Sequence, residues 1–183
     1  MSLLNSVELN TMSDNKIGSI DIIMGCMFSG KSTELIRLAN RYKVLEMKVL
    51  IVNHKLDNRY SEDAVATHSD IKMDCLSIDS LSKIKENYKT LYDGSQVIII
   101  EEAQFFEGLY DFVLDSCEKD GKHVIVVGLD GDSNRNMFGD IIKLIPVCDS
   151  VKKLYGLCVR CKDGTKACFT KRLVDNDSQV FIG

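Results

Sequence analysis

Gly25-Cys26-Met27-Phe28-Ser29-Gly30-Lys31-Ser32 fits the pattern G-x-x-x-x-G-K-[ST] without a mismatch. That pattern needs a strand before it and a helix after it. Ile20-Asp21-Ile22-Ile23-Met24 is a short, mostly apolar run, as expected of a strand buried on both faces. Leu35, Leu38, Tyr42 and Leu45 recur at three- and four-residue spacing, which predicts a helix from Lys31 to Glu46. In this setting the glycines let the backbone wrap an anion. The loop N–H groups and the helix N-terminus then face it. Lys31 is expected to reach the outer phosphates of a nucleoside triphosphate, and the Ser32 hydroxyl to meet Mg²⁺. The motif alone does not separate an ATPase, a GTPase and a kinase.

Further apolar runs follow at Val49-Leu50-Ile51-Val52, Val97-Ile98-Ile99-Ile100 and His123 to Leu129. Between them, Leu81, Ile84, Tyr88 and Leu91 predict one helix, and Leu109, Phe112, Val113 and Cys117 another, with Gly121 as its stop. Residues Asn53 to Ser69 are polar and without period, and read as a loop. Continuously apolar strands alternating with helices predict an α/β fold with a parallel sheet covered on both faces. The expected organisation is a disordered tail over 1–19, an α/β domain over 20–150 and a small lobe over 151–183. That lobe carries Cys158-Val159-Arg160-Cys161 and short alternating segments.

The 183 residues are 45% hydrophobic and 27% charged, ordinary proportions for a globular chain, so wholesale disorder is excluded. A net charge of -4 lacks the basic excess of a dedicated nucleic-acid binder. No apolar run approaches the roughly 20 residues that span a bilayer. The start, MSLLNSVELN, lacks the cationic and apolar regions of a signal peptide. Seven cysteines without such a signal suggest reduced thiols and a cytoplasmic protein.

The third strand runs straight into Glu101-Glu102. Ligands of parallel sheets collect beyond the carboxyl ends of the strands, which brings this pair to the edge that carries the phosphate loop. Successive strand residues point opposite ways, so one acid can serve a metal and the other a substrate hydroxyl. The competing reading is a helix-start pair favoured by the helix dipole. Gln104-Phe105-Phe106 and the isolated His54, His68 and His123 read by themselves as core or surface residues.

The phosphate loop with Thr33-Glu34-Leu35, then Asp57-Asn58-Arg59-Tyr60 and Glu102-Ala103-Gln104-Phe105-Phe106, resembles the cellular and poxvirus-type (type II) thymidine kinases. Leu129-Asp130-Gly131, Phe138-Gly139, the Cys-x-x-Cys pair and Thr170-Lys171-Arg172-Leu173 continue the match in the same order. The resemblance implies transfer of the γ-phosphate of ATP to the 5′-hydroxyl of thymidine, with deoxyuridine a possible second substrate. It implies Glu102 as general base and Lys31 as stabiliser of the transferred group. Gly25 to Thr33, Asp57, Arg59, Glu101 and Gln104 are then the ATP–Mg²⁺ residues, with Ser32 and Glu101 on the metal. Glu101 stands where the family usually has aspartate. Met27, Leu129, Ser133, Phe138 and Thr170 would line the nucleoside pocket, and the backbone of Gln179, Val180, Phe181, Ile182 and Gly183 would hold thymine. The resemblance also implies a homotetramer and feedback inhibition by thymidine triphosphate (dTTP).

Two departures stand out. Ser133 occupies a position where the family commonly has a pocket phenylalanine. Cys158 and Cys161 match half of a zinc site whose second Cys-x-x-Cys follows the thymine loop in the family, together with a tyrosine. The sequence ends at Gly183, so the expected lobe is a truncated zinc ribbon. Other functions stay open on these residues: an ATPase or nucleotide-binding module without a nucleoside substrate, or a fragment with impaired thymidine binding.

Overall fold

The computed structural model describes residues 18–57, 64–66, 72–173 and 178–180. The expected tail falls outside them, apart from residues 18 and 19. The first elements are β1 (Ser19–Gly25), α1 (Lys31–Val44), β2 (Val49–His54), β3 (Ala64–Ala66), β4 (Lys72–Asp74) and β5 (Leu76–Ile78). They are followed by α2 (Ser82–Asn87), α3 (Lys89–Gly94), β6 (Val97–Ile100), α4 (Leu109–Leu114) and β7 (His123–Gly128). Three short strands close the described order: β8 (Ser150–Leu154), β9 (Gly156–Leu157) and β10 (Lys166–Ala167).

Six strands form one sheet in the order β5-β2-β6-β7-β1-β8, and every pairing in it is parallel. Alternation along each strand divides the apolar residues between two cores. Ile22, Val52, Ile98, Ile100, Val124 and Val126 face Leu81, Ile84, Leu109 and Val113 on one side. Ile23, Ile51, Ile99, Ile125 and Val127 face Leu35, Ile36 and Ala39 of α1 on the other. Both faces are therefore covered, which is why these strands read as unbroken apolar runs.

Three local readings change. The polar stretch read as a loop contains β3, which pairs antiparallel with β4. The helix expected across Leu81 to Leu91 is two helices. It breaks at Tyr88, whose φ of -123° lies outside helical geometry. The restart shifts the inward face, so Tyr92 is buried while Leu91 is exposed. The division expected at residues 150 and 151 falls inside β8, which pairs with β1 at the edge of the main sheet.

Candidate active site

The phosphate loop connects β1 to α1, and two of its glycines have steric duties. A Cβ on Gly25 would lie 2.3 Å from the Leu154 carbonyl oxygen, so β8 can approach only a glycine there. Gly30 adopts φ 84° and ψ 21° at the helix start, a left-handed geometry that glycine enters freely. The Glu34 N–H donates back to the Gly30 carbonyl at 3.0 Å and closes the first turn. Lys31 Nζ donates to the Cys26 carbonyl at 2.8 Å, folding the ammonium over the loop. Ser29 Oγ is buried with no hydrogen-bond partner among the described residues. A buried unmet hydroxyl inside such a loop fits an anionic, oxygen-rich ligand.

The two carboxylates at the end of β6 are both buried. Ser32 Oγ donates to Glu101 Oε1 at 2.5 Å, joining the loop to the acid. Burial pushes the Glu101 carboxyl up to about 8, the Ser32 hydrogen bond opposes this, and the charges of Glu102 and Asp57 add to the rise. Lys31 acts on Glu101 in the opposite direction. Glu102 has φ 50° and ψ 39° at the start of a tight turn over Ala103–Phe105. Strand alternation stops at Ile100, so it is this turn that gives the two acids different partners. A non-glycine residue in the left-handed region persists only where its surroundings hold it, and such residues cluster at functional sites.

Gln104 supplies that hold. Its Nε2 donates to Glu102 Oε2 at 2.5 Å, and its Oε1 accepts from the Leu129 N–H at 2.9 Å. Two glycines close around it. A Cβ on Gly128 would lie 2.6 Å from Gln104 Oε1, and one on Gly139 would lie 2.3 Å from the Gln104 carbonyl oxygen. Gln104, read from the sequence as core and by resemblance as nucleotide-binding, is a buried brace for Glu102. Asp57 sits in a turn after β2, where its N–H donates to the His54 carbonyl at 2.9 Å. His54 is buried against Phe105 and Phe106, and its Nδ1 accepts from the Leu56 N–H at 3.1 Å. Burial pushes its pKa down. His123, with Ser19 and Tyr42 as partners, is likewise a satisfied core histidine.

On the opposite side of the loop, Thr170 Oγ1 accepts from the Met27 N–H at 3.0 Å, and Cys26 Sγ donates to the Ala167 carbonyl at 3.1 Å. The lobe therefore rests directly on the phosphate loop. Phe138 is buried edge-on to Phe105, with ring centroids 5.5 Å apart. Leu129 is half-buried beside Gln104, and Ser133 is half-buried in the loop between Leu129 and Phe138. Gln179 reaches that loop through its side chain, donating to Asp132 Oδ2 at 3.0 Å and to the Met137 carbonyl at 3.2 Å. Val180 is exposed beside it. Arg59, Phe181, Ile182 and Gly183 lie outside the described residues. Sequence reading passed over Asp132 and Arg172. The signal for Asp132 was the Asp-x-Asn-x-Asn spacing, an aspartate that caps its own turn.

The geometry can be tested against the two metals. Mg²⁺ takes one or two carboxylates and completes its shell with phosphate oxygens and water. The joined Ser32 hydroxyl and Glu101 carboxyl fit that requirement. A closed structural zinc site takes four ligands. Cys158 and Cys161 meet across a tight turn, where the Cys161 N–H lies 3.4 Å from Cys158 Sγ. No group of three or more His, Cys, Asp or Glu among the described residues is placed to hold a metal. Two thiols do not by themselves make a closed zinc site; Cys158 and Cys161 are the half site expected of a truncated ribbon. No helix among the described residues is long and apolar enough to cross a membrane.

A family model described as thymidine kinase matches residues 18–183. The chain is 41% identical over 168 residues to a thymidine kinase of Oryza sativa subsp. japonica, covering 91% of this chain and 61% of that protein. It is 40% identical over 169 residues to the thymidine kinase of Fowlpox virus, covering 91% and 90%. It is 40% identical over 159 residues to the cytosolic thymidine kinase of Gallus gallus, covering 85% and 66%. The chain thus spans about three-fifths of the plant relative and nine-tenths of the viral one. Among solved structures, the genome packaging NTPase B204 from Sulfolobus turreted icosahedral virus 2 covers 69% of each chain at 20% identity, with a TM-score of 0.40. A phosphate loop joined to one buried acid, a braced second acid beside it and a family match from the start of β1 to the last residue lead to one conclusion: the chain belongs to the thymidine kinase family.

Proposed function

We propose that the protein transfers the γ-phosphoryl group of ATP to the 5′-hydroxyl of thymidine. The observation that carries this is the position of Glu102: a buried carboxylate in a left-handed turn, braced by Gln104, next to the acid that binds the phosphate-loop serine. Glu102 takes the proton of the attacking hydroxyl. Gln104 orients the carboxylate that receives it. The ammonium of Lys31 and the loop N–H groups stabilise charge on the transferred phosphoryl group. Ser32 and Glu101 would hold Mg²⁺, which supplies neutralisation of the β- and γ-phosphate charge when bound. Asp57 borders the phosphates, and the family resemblance gives Arg59 a role beside it.

Met27, Leu129, Phe138 and Thr170 line the nucleoside side, and the 179–183 backbone reads the thymine edge. Fixed peptide donors and acceptors suit a pyrimidine edge because little has to be ordered on binding. At Ser133 the wall is small, and Phe105 packs edge-on against Phe138 with ring centroids 5.5 Å apart. A cytoplasmic homotetramer inhibited by thymidine triphosphate belongs to the same proposal, supported by family membership alone.

The test supplies ATP, Mg²⁺ and thymidine and looks for thymidine monophosphate. ATP hydrolysis with no nucleotide product would instead favour a nucleotide-binding module. Glu102→Gln is expected to lower kcat about 100- to 10,000-fold, the usual weight of a general base, while ATP still binds. Unchanged turnover would remove Glu102 from this role.

A further inference from the structure

Asp132 is buried in the loop between Leu129 and Phe138, and the family resemblance assigns Asp132 itself no role. Its Oδ1 accepts the backbone N–H groups of Asn134 at 2.8 Å and Asn136 at 2.9 Å. Its Oδ2 accepts from Gln179 Nε2 at 3.0 Å and, at 3.4 Å, from Asn136 Nδ2. The two oxygens thus divide their work: one closes the turn within residues 132–136, and the other receives a residue from another part of the chain. Gln179 itself lies between two anchors. Its carbonyl accepts from Arg172 Nη2 at 3.2 Å, and the neighbouring Ser178 carbonyl accepts from Arg172 Nη1 at 2.5 Å. The residues between Leu129 and Phe138 are tied back to the lobe a second time, because the Arg135 guanidinium lies over the Phe169 ring at 5.6 Å.

We propose that Asp132 is a positioning residue for nucleoside binding: through Gln179 it latches the 178–180 segment across the Leu129-to-Phe138 loop. The role rests on the thymidine kinase function proposed above. Asp132 itself need not touch the nucleoside. It fixes the backbone of the segment that does, so its loss should weaken thymidine binding and leave ATP binding alone. A latch formed before binding lowers the ordering that the ligand must otherwise bring about.

Asp132→Asn separates the two duties of the carboxylate. The amide oxygen can keep both turn N–H groups, while the amide nitrogen meets the Gln179 nitrogen, donor against donor. Thymidine KM is expected to rise about ten-fold, the scale of one hydrogen bond to a charged group, with ATP KM unchanged. Gln179→Glu sets two carboxylates against each other and should raise thymidine KM similarly. The double variant Asp132→Asn with Gln179→Glu restores a donor–acceptor pair with reversed polarity. It should recover a large part of the loss, though not the bond to the Met137 carbonyl. Additive losses in the double variant, or an unchanged thymidine KM in both single variants, would overturn the latch. Hydrogen exchange at 178–180 reads the same contact without substrate, faster in each single variant and slower again in the double. If the wild-type protein made no thymidine monophosphate, the kinase function would fall while this exchange pattern still decided the latch.

Discussion

Glu102 combines three properties that oppose one another: it is buried, it is acidic and its backbone is left-handed. Each is unfavourable alone, and the Gln104 brace together with the approach of Gly128 and Gly139 makes the combination persist. The donor that Gln104 turns toward Glu102 holds that carboxylate in one orientation. Gln104→Glu tests that. The new carboxyl still offers an acceptor to the Leu129 N–H but withdraws the donor from Glu102 and sets a second acid beside it. A base no longer held in line should lower kcat by about ten-fold or more, with ATP KM unchanged. A kcat equal to that of the wild type would show that the brace does not position the base. Only the family resemblance set Gln104 apart from its aromatic neighbours; local pattern did not, because its contact is with Leu129, 25 residues later.

Among the elements, β6 carries the heaviest structural duty. Its four residues are fully buried, it pairs with β2 on one side and β7 on the other, and it delivers both acids. Ile99 faces the α1 side, so Ile99→Ala leaves a void under that helix. The unfolding free energy, measured in urea, is expected to fall by about 2–5 kcal/mol. Strands of this kind were legible because burial on both faces leaves no polar positions to blur them. The strands β3, β4 and β5 were not, since three residues each are too few to display a period. The α2–α3 break was hidden for another reason: Tyr88 satisfies helical spacing while its backbone leaves the helix. The phosphate loop was fully legible, being local in sequence. The Asp132–Gln179 contact spans 47 residues and left no local trace.

At the scale of the whole molecule, the edge strand β8 is fastened to both faces of the sheet. Lys152 Nζ pairs with Glu34 of α1 at 2.8 Å, and Lys153 Nζ pairs with Asp130 at 2.6 Å on the other side. Glu34 also receives Arg37, whose hydrogen bonds hold its carboxyl at about 2, against 4.5 for the free side chain. A pKa depressed in the folded state contributes stability that is complete above 4.5 and is lost as the pH falls toward 2. Acid titration of the urea midpoint should therefore drop more steeply in the wild type than in Glu34→Gln within that window. Parallel curves would mean that the pairs of Glu34 with Arg37 and Lys152 add nothing to stability.

The order β5-β2-β6-β7-β1-β8 also has a consequence in time. Among the described strands β1 is made first, yet its sheet neighbours are β7 and β8, near the far end of the described residues. Roughly a hundred residues, or about 5–20 s of synthesis, separate β1 from the first of them. During that interval Ile20 to Met24 is an apolar segment without its sheet partners, a natural client for a chaperone. β2, β5 and β6 can pair meanwhile. The loop between β1 and α1 is thus made about a hundred residues before the strands on either side of β1 can pair with it.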